Sequence, residues 1–149
     1  MAGNMFGIEP ELFRTFGFWS SVVCLKMVAV VLMTVRHRFQ KKIFVNPDDT
    51  ALMKGSKVLH NDPDIERVRR CHLNDLENIP LWFIVTSLWL TTGPPSWLAT
   101  ILIRTFVISR IVHTLSYAVW LRQPYRAISF LTGFFTTIFQ AISTLIYYW

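Results

Sequence analysis

The sequence predicts an all-α integral membrane protein, in which four transmembrane helices form one bundle and one domain, residues 1–149. The 149-residue chain is 52% hydrophobic and 15% aromatic, with a mean hydropathy of +0.38, which is high for a soluble domain of this length. Four long apolar segments carry this excess, and short polar turns separate them. The net charge of +6 is concentrated beside these segments, as in membrane proteins that follow the positive-inside rule.

The first helix is predicted over residues 12–40. Its apolar run, residues 16–35, is about 20 residues long and therefore long enough to cross a bilayer. Lys26 is the one charged residue inside that run. Charged residues also precede the run, a pattern unlike a cleavable signal peptide. After the basic stretch "RHRFQKK", a polar loop over residues 41–62 contains Asn-Pro and Asp-Pro turn signals.

The second helix is predicted over residues 63–92, with Asp62 as its N-cap and Pro63 at its first position. Its purely apolar part, residues 79–92, is only about 14 residues long and too short to span a bilayer. A spanning helix must therefore extend back to about Leu73. This extension brings three polar side chains to the membrane boundary: Asn74, Asp75 and Glu77.

The third and fourth helices are predicted over residues 96–121 and 124–149. The turn "TTGPPS" precedes the third helix, and the basic turn "LRQPYR" separates it from the fourth. The fourth helix has no charge after Arg126 and ends in three aromatic residues, which is typical of a membrane interface.

The distribution of basic residues predicts the topology. The first and third connections are rich in Lys and Arg, whereas the second connection contains neither. By the positive-inside rule, the first and third connections face the cytosol and both termini face the lumen or exterior. No internal repeat is evident in the sequence.

Polar residues from three helices are predicted to converge at the cytosolic face. Residues at i, i+4 and i+7 share one face of the second helix: Arg70, Asn74 and Glu77. Residues at i, i+3 and i+7 share one face of the third helix: Arg110, His113 and Tyr117. Arg126 opens the fourth helix. Ionisable residues at such depth in a membrane indicate a functional pocket.

Individual members of this set also have purely structural interpretations. Lys26 could pair with either Glu77 or Asp75, and Asp75 could serve only to join two helices. His113 alone could be an interhelical hydrogen-bonding residue, and Tyr117 alone could be an interfacial tyrosine.

Residues around Arg70 have similar alternatives. Glu66 and Arg70 could form a surface pair at i, i+4, while Arg67 and Arg69 could contact lipid headgroups. Cys71 could be a packed helix residue or a reactive thiol.

The residue types favour a small zwitterionic ligand with more than one carboxylate. Arginines bind carboxylates bidentately, and a glutamate can receive an ammonium group. The spacings supply no metal-ligand set, no Ser-His-Asp arrangement and no Gly-rich phosphate loop. No exposed basic domain is left for nucleic-acid binding.

Four stretches resemble the MAPEG family, the membrane-associated proteins of eicosanoid and glutathione metabolism. They are "KKIFVNPDD", "ERVRRCHLNDLENIP", "RIVHTLSYAV" and "QPYRAISF", and they follow the family order from about Lys26 onward. The prostaglandin E synthase branch typically has Arg at the position of Leu73 and Ser at that of Ala127. The chain is therefore more similar to the microsomal glutathione transferase branch.

The resemblance implies a homotrimer with glutathione bound between neighbouring protomers. It implies that eight residues bind glutathione: Arg38, Arg70, Asn74, Glu77, Arg110, His113, Tyr117 and Arg126. Arg38 would act across the subunit boundary. The residues implied in catalysis are Arg126, Tyr117 and Asp49, and Asp49 could equally be a simple turn or cap residue.

The implied activity is transfer of glutathione, as thiolate, to hydrophobic electrophiles from the bilayer, with lipid-peroxide reduction as an additional activity. The alternatives are a glutathione-dependent prostaglandin E synthase and a non-catalytic lipid-presenting scaffold. The implied location is the endoplasmic reticulum membrane, with the mitochondrial outer membrane as a second site, and the active site would face the cytosol. No metal is expected.

Overall fold

The fold is built almost entirely from long helices. The computed structural model describes residues 7–120 and 123–149. Its elements are, in chain order, α1 (Pro10–Lys41), β1 (Ile43–Phe44), a 3₁₀ turn (Pro47–Leu52), β2 (Lys57–Val58), α2 (Pro63–Leu90), α3 (Ser96–Thr114), a π-helical turn (Leu115–Val119) and α4 (Tyr125–Tyr148). The predicted all-α class is confirmed.

Among the described residues, the loop between α1 and α2 contains the only β-strands. β1 and β2 are two-residue strands that pair in parallel, with Ile43 opposite Lys57 and Phe44 opposite Val58. Ile43 and Phe44 are buried. This pairing could not be predicted from the sequence, because strands of two residues carry no periodic signal.

Three helices are long and apolar enough to cross a membrane: α1, α3 with its π-helical turn, and α4. α2 has 28 residues but does not share this property, because its N-terminal half is rich in charged residues. The chain therefore has the composition of a helical membrane protein, with one helix of mixed character.

Asp62 caps the N-terminus of α2, as the sequence predicted. Its Oδ1 atom accepts hydrogen bonds from the backbone N–H groups of Asp64 and Ile65, each at 3.1 Å. Pro63 occupies the first helical turn, where its missing N–H costs nothing.

One face of α2 is buried along the whole helix. Its members recur every three or four residues: Ile65, Val68, Cys71, Asp75, Ile79, Trp82, Thr86 and Trp89. This spacing forms a single stripe on an α-helix. The indole of Trp82 stacks on the Phe106 ring of α3, with centroids 4.3 Å apart and planes 4° apart, and Phe16 of α1 packs against the same indole.

The buried face of α4 consists of small and polar residues: Ser129, Gly133, Thr136 and Gln140. Small residues let helix backbones approach closely in membrane proteins. Gln140 is fully buried, and its Oε1 accepts a hydrogen bond from the Thr86 hydroxyl of α2 at 2.9 Å. This bond satisfies a polar atom in the bundle interior and joins α4 to α2.

Gly133 is a point of close approach between α4 and α3. A Cβ at Gly133 would lie 2.8 Å from the Ser109 Oγ and 3.5 Å from the Arg110 Nε. We expect Gly133→Ala to lower the free energy of unfolding by about 1–3 kcal/mol, the usual effect of overpacking. Thermal unfolding of detergent-purified protein would measure this change.

Two variants serve as controls for Gly133→Ala. Gly17→Ala, also within a helix, should be neutral or stabilising, because no atom lies within 4 Å of its added Cβ. Adding Ser109→Ala to Gly133→Ala should recover stability, since it removes the clashing Oγ. Equal melting temperatures for Gly133→Ala and Gly17→Ala would contradict the close approach.

Candidate functional site

A hydrogen bond between α2 and α3 forms the centre of the candidate site. Arg110 of α3 is 1% exposed, and its Nη1 donates to the Asn74 Oδ1 of α2 at 3.1 Å. The structure therefore joins one residue from each of the two polar faces predicted from the sequence.

A series of aromatic contacts extends this centre to α4. The Arg110 guanidinium carbon lies 5.6 Å from the centroid of the Phe130 ring. The His113 ring packs against both Phe130 and Tyr117, with centroid distances of 6.3 and 5.6 Å. The Arg126 guanidinium carbon lies 4.7 Å from the Tyr117 ring centroid, within the range of a cation–π interaction.

Tyr117 lies on the π-helical turn that follows α3. Such turns insert an extra residue into the helical period and are frequent at functional sites. Arg110 and His113 are buried, whereas Tyr117 is half-buried and contacts Arg126. The sequence spacing predicted a shared face but not this change of helix type, because the π-helical turn depends on packing rather than on composition.

Several polar atoms of this cluster are buried without a hydrogen-bond partner among the described residues. They are the Nε and Nη2 of Arg110 and the Nδ1 of His113. Buried polar groups are nearly always satisfied, so this cluster has spare capacity for a ligand. Arginine N–H groups suit carboxylate oxygens in particular.

Arg70 and Glu77 face outward from the protomer. Both are exposed, and within the described part of the chain neither forms a hydrogen bond or ion pair. Arg70 lines a shallow pocket of about 280 Å³ on the outer surface of α2. Arg38, near the end of α1, is half-buried, and its Nε lacks a partner among residues 7–120 and 123–149.

The charged residues that flank Arg70 pair differently from the sequence expectation. Glu66 forms its ion pair with Arg69, at 2.6 Å, rather than with Arg70, so the suggested i, i+4 pair is wrong. Arg67 pairs with Asp64 at 2.8 Å. In an actual helix, the i, i+3 partner is as close as the i, i+4 partner, and rotamers decide between them.

The core packing bears on two questions that the sequence left open: which acidic residue pairs with Lys26, and whether Cys71 is a packed helix residue. Lys26 pairs with Asp75, not Glu77: its Nζ lies 2.5 Å from the Asp75 Oδ2, and the two side chains are 9% and 0% exposed. Cys71 is buried, and its thiol donates to the Thr114 hydroxyl oxygen at 3.6 Å. This environment fits a packed helix residue.

Asp49 lies in the 3₁₀ turn of the loop between α1 and α2. Its carboxylate accepts a hydrogen bond from the Asn46 Nδ2 at 3.3 Å, and its backbone N–H donates to the Asn46 oxygen. These contacts are those of a turn residue.

An ion-pair cluster closes the loop that carries Asp49. The Lys41 Nζ at the end of α1 lies 2.8 Å from the Asp62 Oδ1 and 2.5 Å from the Asp64 Oδ2. The hydrogen bond from Lys41 holds the pKa of the Asp62 carboxyl below its ordinary value. This cluster could not be predicted from local sequence patterns, because loop closure brings together residues about 20 positions apart.

Long apolar helices around a buried cationic cluster define the chain as a helical membrane protein with an internal polar site. The chain belongs to the MAPEG family: the model of that family matches residues 16–146. This confirms the family that the sequence resembles.

The relatives include both enzymes that the sequence stretches indicated. The chain is 38% identical to microsomal glutathione S-transferase 1 of Homo sapiens over 138 residues, which cover 90% of this chain and 89% of the human protein. It is 40% identical to the Bos taurus protein of the same name, over the same share of each chain. It is 33% identical to prostaglandin E synthase of Macaca fascicularis over 130 residues, 87% of this chain and 86% of the relative.

The ion pairs of Lys41 with Asp62 and Asp64 predict that the stability of the loop between α1 and α2 depends on pH. Because the pKa of Asp62 is lowered in the folded state, its stabilising contribution is present at neutral pH and is lost as the pH falls through the lowered pKa. Asp62→Asn should remove this contribution at neutral pH and accelerate hydrogen exchange of the amides of residues 43–61 several-fold. Exchange rates normalised for intrinsic pH effects would measure the change.

Asp48→Asn is the matched control, because Asp48 is an exposed residue of the same loop. It should leave the exchange rates at their original values. Equal protection in Asp62→Asn and the unmodified protein at neutral pH would contradict a role for the Lys41 cluster in closing the loop.

Proposed function

We propose that this protein is a membrane-bound glutathione transferase that binds glutathione as thiolate and transfers it to hydrophobic electrophiles from the bilayer. Membership of the MAPEG family and the transferases among its relatives support this function. The buried donors of Arg110 and His113 that lack partners among the described residues fit anionic groups of glutathione.

The contact of Arg126 with Tyr117 carries the proposal. Arg126 is the second residue of α4, and the Tyr117 ring lies 4.7 Å from its guanidinium carbon. The N-terminus of a helix adds a partial positive charge of about 0.5. A cation fixed at a helix N-terminus is a suitable environment for a thiolate.

The other predicted residues would each bind a different group of glutathione. Its carboxylates would bind Arg70, Arg38 and His113, and its ammonium would bind Glu77 and Asn74. Its sulfur would lie near Arg126, with Tyr117 and Arg110 around it. Asp49 would assist positioning from the cytosolic loop.

A homotrimer would complete this site. Arg70 and Glu77 face outward in the single protomer, where a second protomer could cover them. A ligand bound between subunits requires binding residues on the outer surface of each protomer. In the same assembly α2 would be the fourth transmembrane helix, because its charged half would face protein and ligand rather than lipid.

The active site would face the cytosol, in the endoplasmic reticulum membrane or the mitochondrial outer membrane. The electrophile would arrive laterally from the lipid. A groove of about 310 Å³ between α3 and α4 fits this route, since most of its exposed lining surface is apolar, although Ser and Thr side chains contribute to it, and since it reaches Tyr125, next to Arg126.

The chemical step needs a deprotonated sulfur. A free thiol has a pKa of about 8.5, and lowering it to about 6.5 would leave most glutathione as thiolate at pH 7. The thiol proton passes to water, and the sulfur forms a bond to the electrophilic carbon. The leaving group departs with the bonding electrons. With a lipid hydroperoxide, two glutathione molecules would instead give the alcohol, water and glutathione disulfide.

Glutathione-dependent isomerisation of prostaglandin H to prostaglandin E is the second candidate function. The similarity to prostaglandin E synthase supports it. Leu73 and Ala127 stand where that branch typically has Arg and Ser, and both side chains are exposed on the protomer. These two positions favour the transferase.

Arg126→Ala tests the proposed thiolate site. The variant should lose the ultraviolet absorbance of bound thiolate and about 100-fold in kcat, a loss typical for removing one strong electrostatic contact to reacting atoms. Some glutathione should remain bound, because other residues hold its carboxylates and ammonium. Stopped-flow absorbance and equilibrium dialysis would measure the two effects separately.

Arg36→Ala is the control for Arg126→Ala, because Arg36 is an exposed arginine at the end of α1. It should leave both the thiolate signal and turnover unchanged. Unchanged turnover in Arg126→Ala would overturn the assignment of Arg126 as the residue that stabilises the thiolate.

Product analysis separates the two candidate activities. Detergent-purified protein is incubated with glutathione and either a chlorinated nitro-aromatic compound or prostaglandin H. A covalent glutathione adduct identifies the transferase, whereas a rearranged lipid with glutathione fully recovered identifies the synthase. If neither product forms, the non-catalytic scaffold becomes the better description.

A further inference from the structure

A buried charge cluster lies directly beside the candidate site, and the proposed mechanism does not use all of it. On α2, Asp75 directly follows Asn74 and lies two residues before Glu77. Its Oδ2 lies 2.5 Å from the Lys26 Nζ, and its Oδ1 has no partner among the described residues. The residue before it on α2, Asn74, accepts the hydrogen bond from the Arg110 guanidinium.

This cluster contains two cations and one anion. Lys26 and Arg110 are positive, and Asp75 is the one acidic residue buried among the helices in the described ranges apart from the capping Asp62. Arg110 makes its one hydrogen bond to a neutral amide, that of Asn74. Buried charges need compensation, and the positive charge of Arg110 is not paired with an anion in this cluster.

Of the two buried cations, Lys26 rather than Arg110 forms the ion pair with the Asp75 carboxylate. An arginine and a carboxylate form a strong bidentate pair when nothing else occupies the carboxylate. In the structure, Lys26 takes the Asp75 Oδ2, while Arg110 keeps its Nη1 on Asn74 and its Nε and Nη2 unpaired. Lys26 therefore limits how far Asp75 can neutralise Arg110.

We propose that Lys26 and Asp75 are positioning residues of the glutathione site: Lys26 engages Asp75 and so keeps the Arg110 guanidinium on Asn74, with two N–H groups available for an anionic group of glutathione. Neither Lys26 nor Asp75 touches the ligand. This inference rests on the proposed binding of glutathione and adds to it the reason why Arg110 is available.

Removing the Lys26 charge should transfer Arg110 from Asn74 to Asp75. In Lys26→Met, Arg110 would serve as the counter-ion of Asp75, so the bundle should fold. The new pair would occupy the N–H groups of Arg110 and release Asn74. We expect the KM for glutathione to rise about tenfold, as for loss of one charge-assisted hydrogen bond, while the KM for a chlorinated nitro-aromatic electrophile stays constant.

The double variant Lys26→Met/Asp75→Asn provides the decisive comparison. Without the carboxylate, Arg110 has no competing partner and should return to Asn74. The KM for glutathione should then fall back to within about twofold of the original, a strong non-additivity that a double-mutant cycle measures. A purely structural ion pair would change the melting temperature in these variants and leave both KM values unchanged.

Two further variants complete the experiment. Arg14→Met removes an exposed cation from the same helix, α1, and should leave the KM for glutathione unchanged. If Lys26→Met does not fold, Lys26→Gln replaces it, since the amide can still donate to Asp75 without supplying charge. Lys26→Gln should raise the KM for glutathione at least threefold.

The outcomes separate this inference from the function on which it rests. If the unmodified protein neither binds nor conjugates glutathione, the proposed function fails. If the unmodified protein is active and the folded Lys26 variant keeps the original KM for glutathione, only the positioning role is overturned. A raised KM that Asp75→Asn does not reverse also overturns it.

Discussion

The buried ion pair between Lys26 and Asp75 is the constraint on which the rest of the bundle depends. It joins α1 to α2 through two side chains that are 9% and 0% exposed. Removing one partner of such a pair costs about 3–5 kcal/mol when the other charge is left uncompensated; after loss of Lys26, Arg110 would reduce this cost by serving as the counter-ion of Asp75. Arg110 extends the connection to α3 through its hydrogen bond to Asn74, the residue before Asp75. The register of three helices is therefore determined by one polar cluster.

α4 packs on this arrangement by a different means. Its buried face is lined by small and polar residues, and Gly133 allows it to approach Ser109 and Arg110 closely. Van der Waals contact and interhelical hydrogen bonds drive such packing in lipid, where burial of apolar surface gives little advantage. The close approach brings Arg126, at the start of α4, onto the Tyr117 ring. The geometry of the proposed thiolate site thus depends on a glycine two turns away.

Much of this organisation could be predicted from the chain itself. Asp75 occupies the buried stripe of α2, and Arg110 and His113 occupy that of α3, so helical periodicity alone indicates ionisable groups in the interior. The partner of Lys26 could not be chosen this way, because Asp75 and Glu77 are two residues apart and differ only in the face they occupy. The pairing of Glu66 with Arg69 and the cluster around Lys41 depended on rotamers and on loop closure.

The sequence by itself determined the helical class, the family and the set of polar residues on the faces of α2 and α3, because periodicity, composition and short motifs are local properties of the chain. The tertiary structure decided which of these residues meet: Asn74 with Arg110, and Tyr117 with Arg126. It also showed Arg70 and Glu77 on the outer surface of the protomer. Such contacts depend on how helices from distant parts of the chain rotate against one another, which close packing in three dimensions determines.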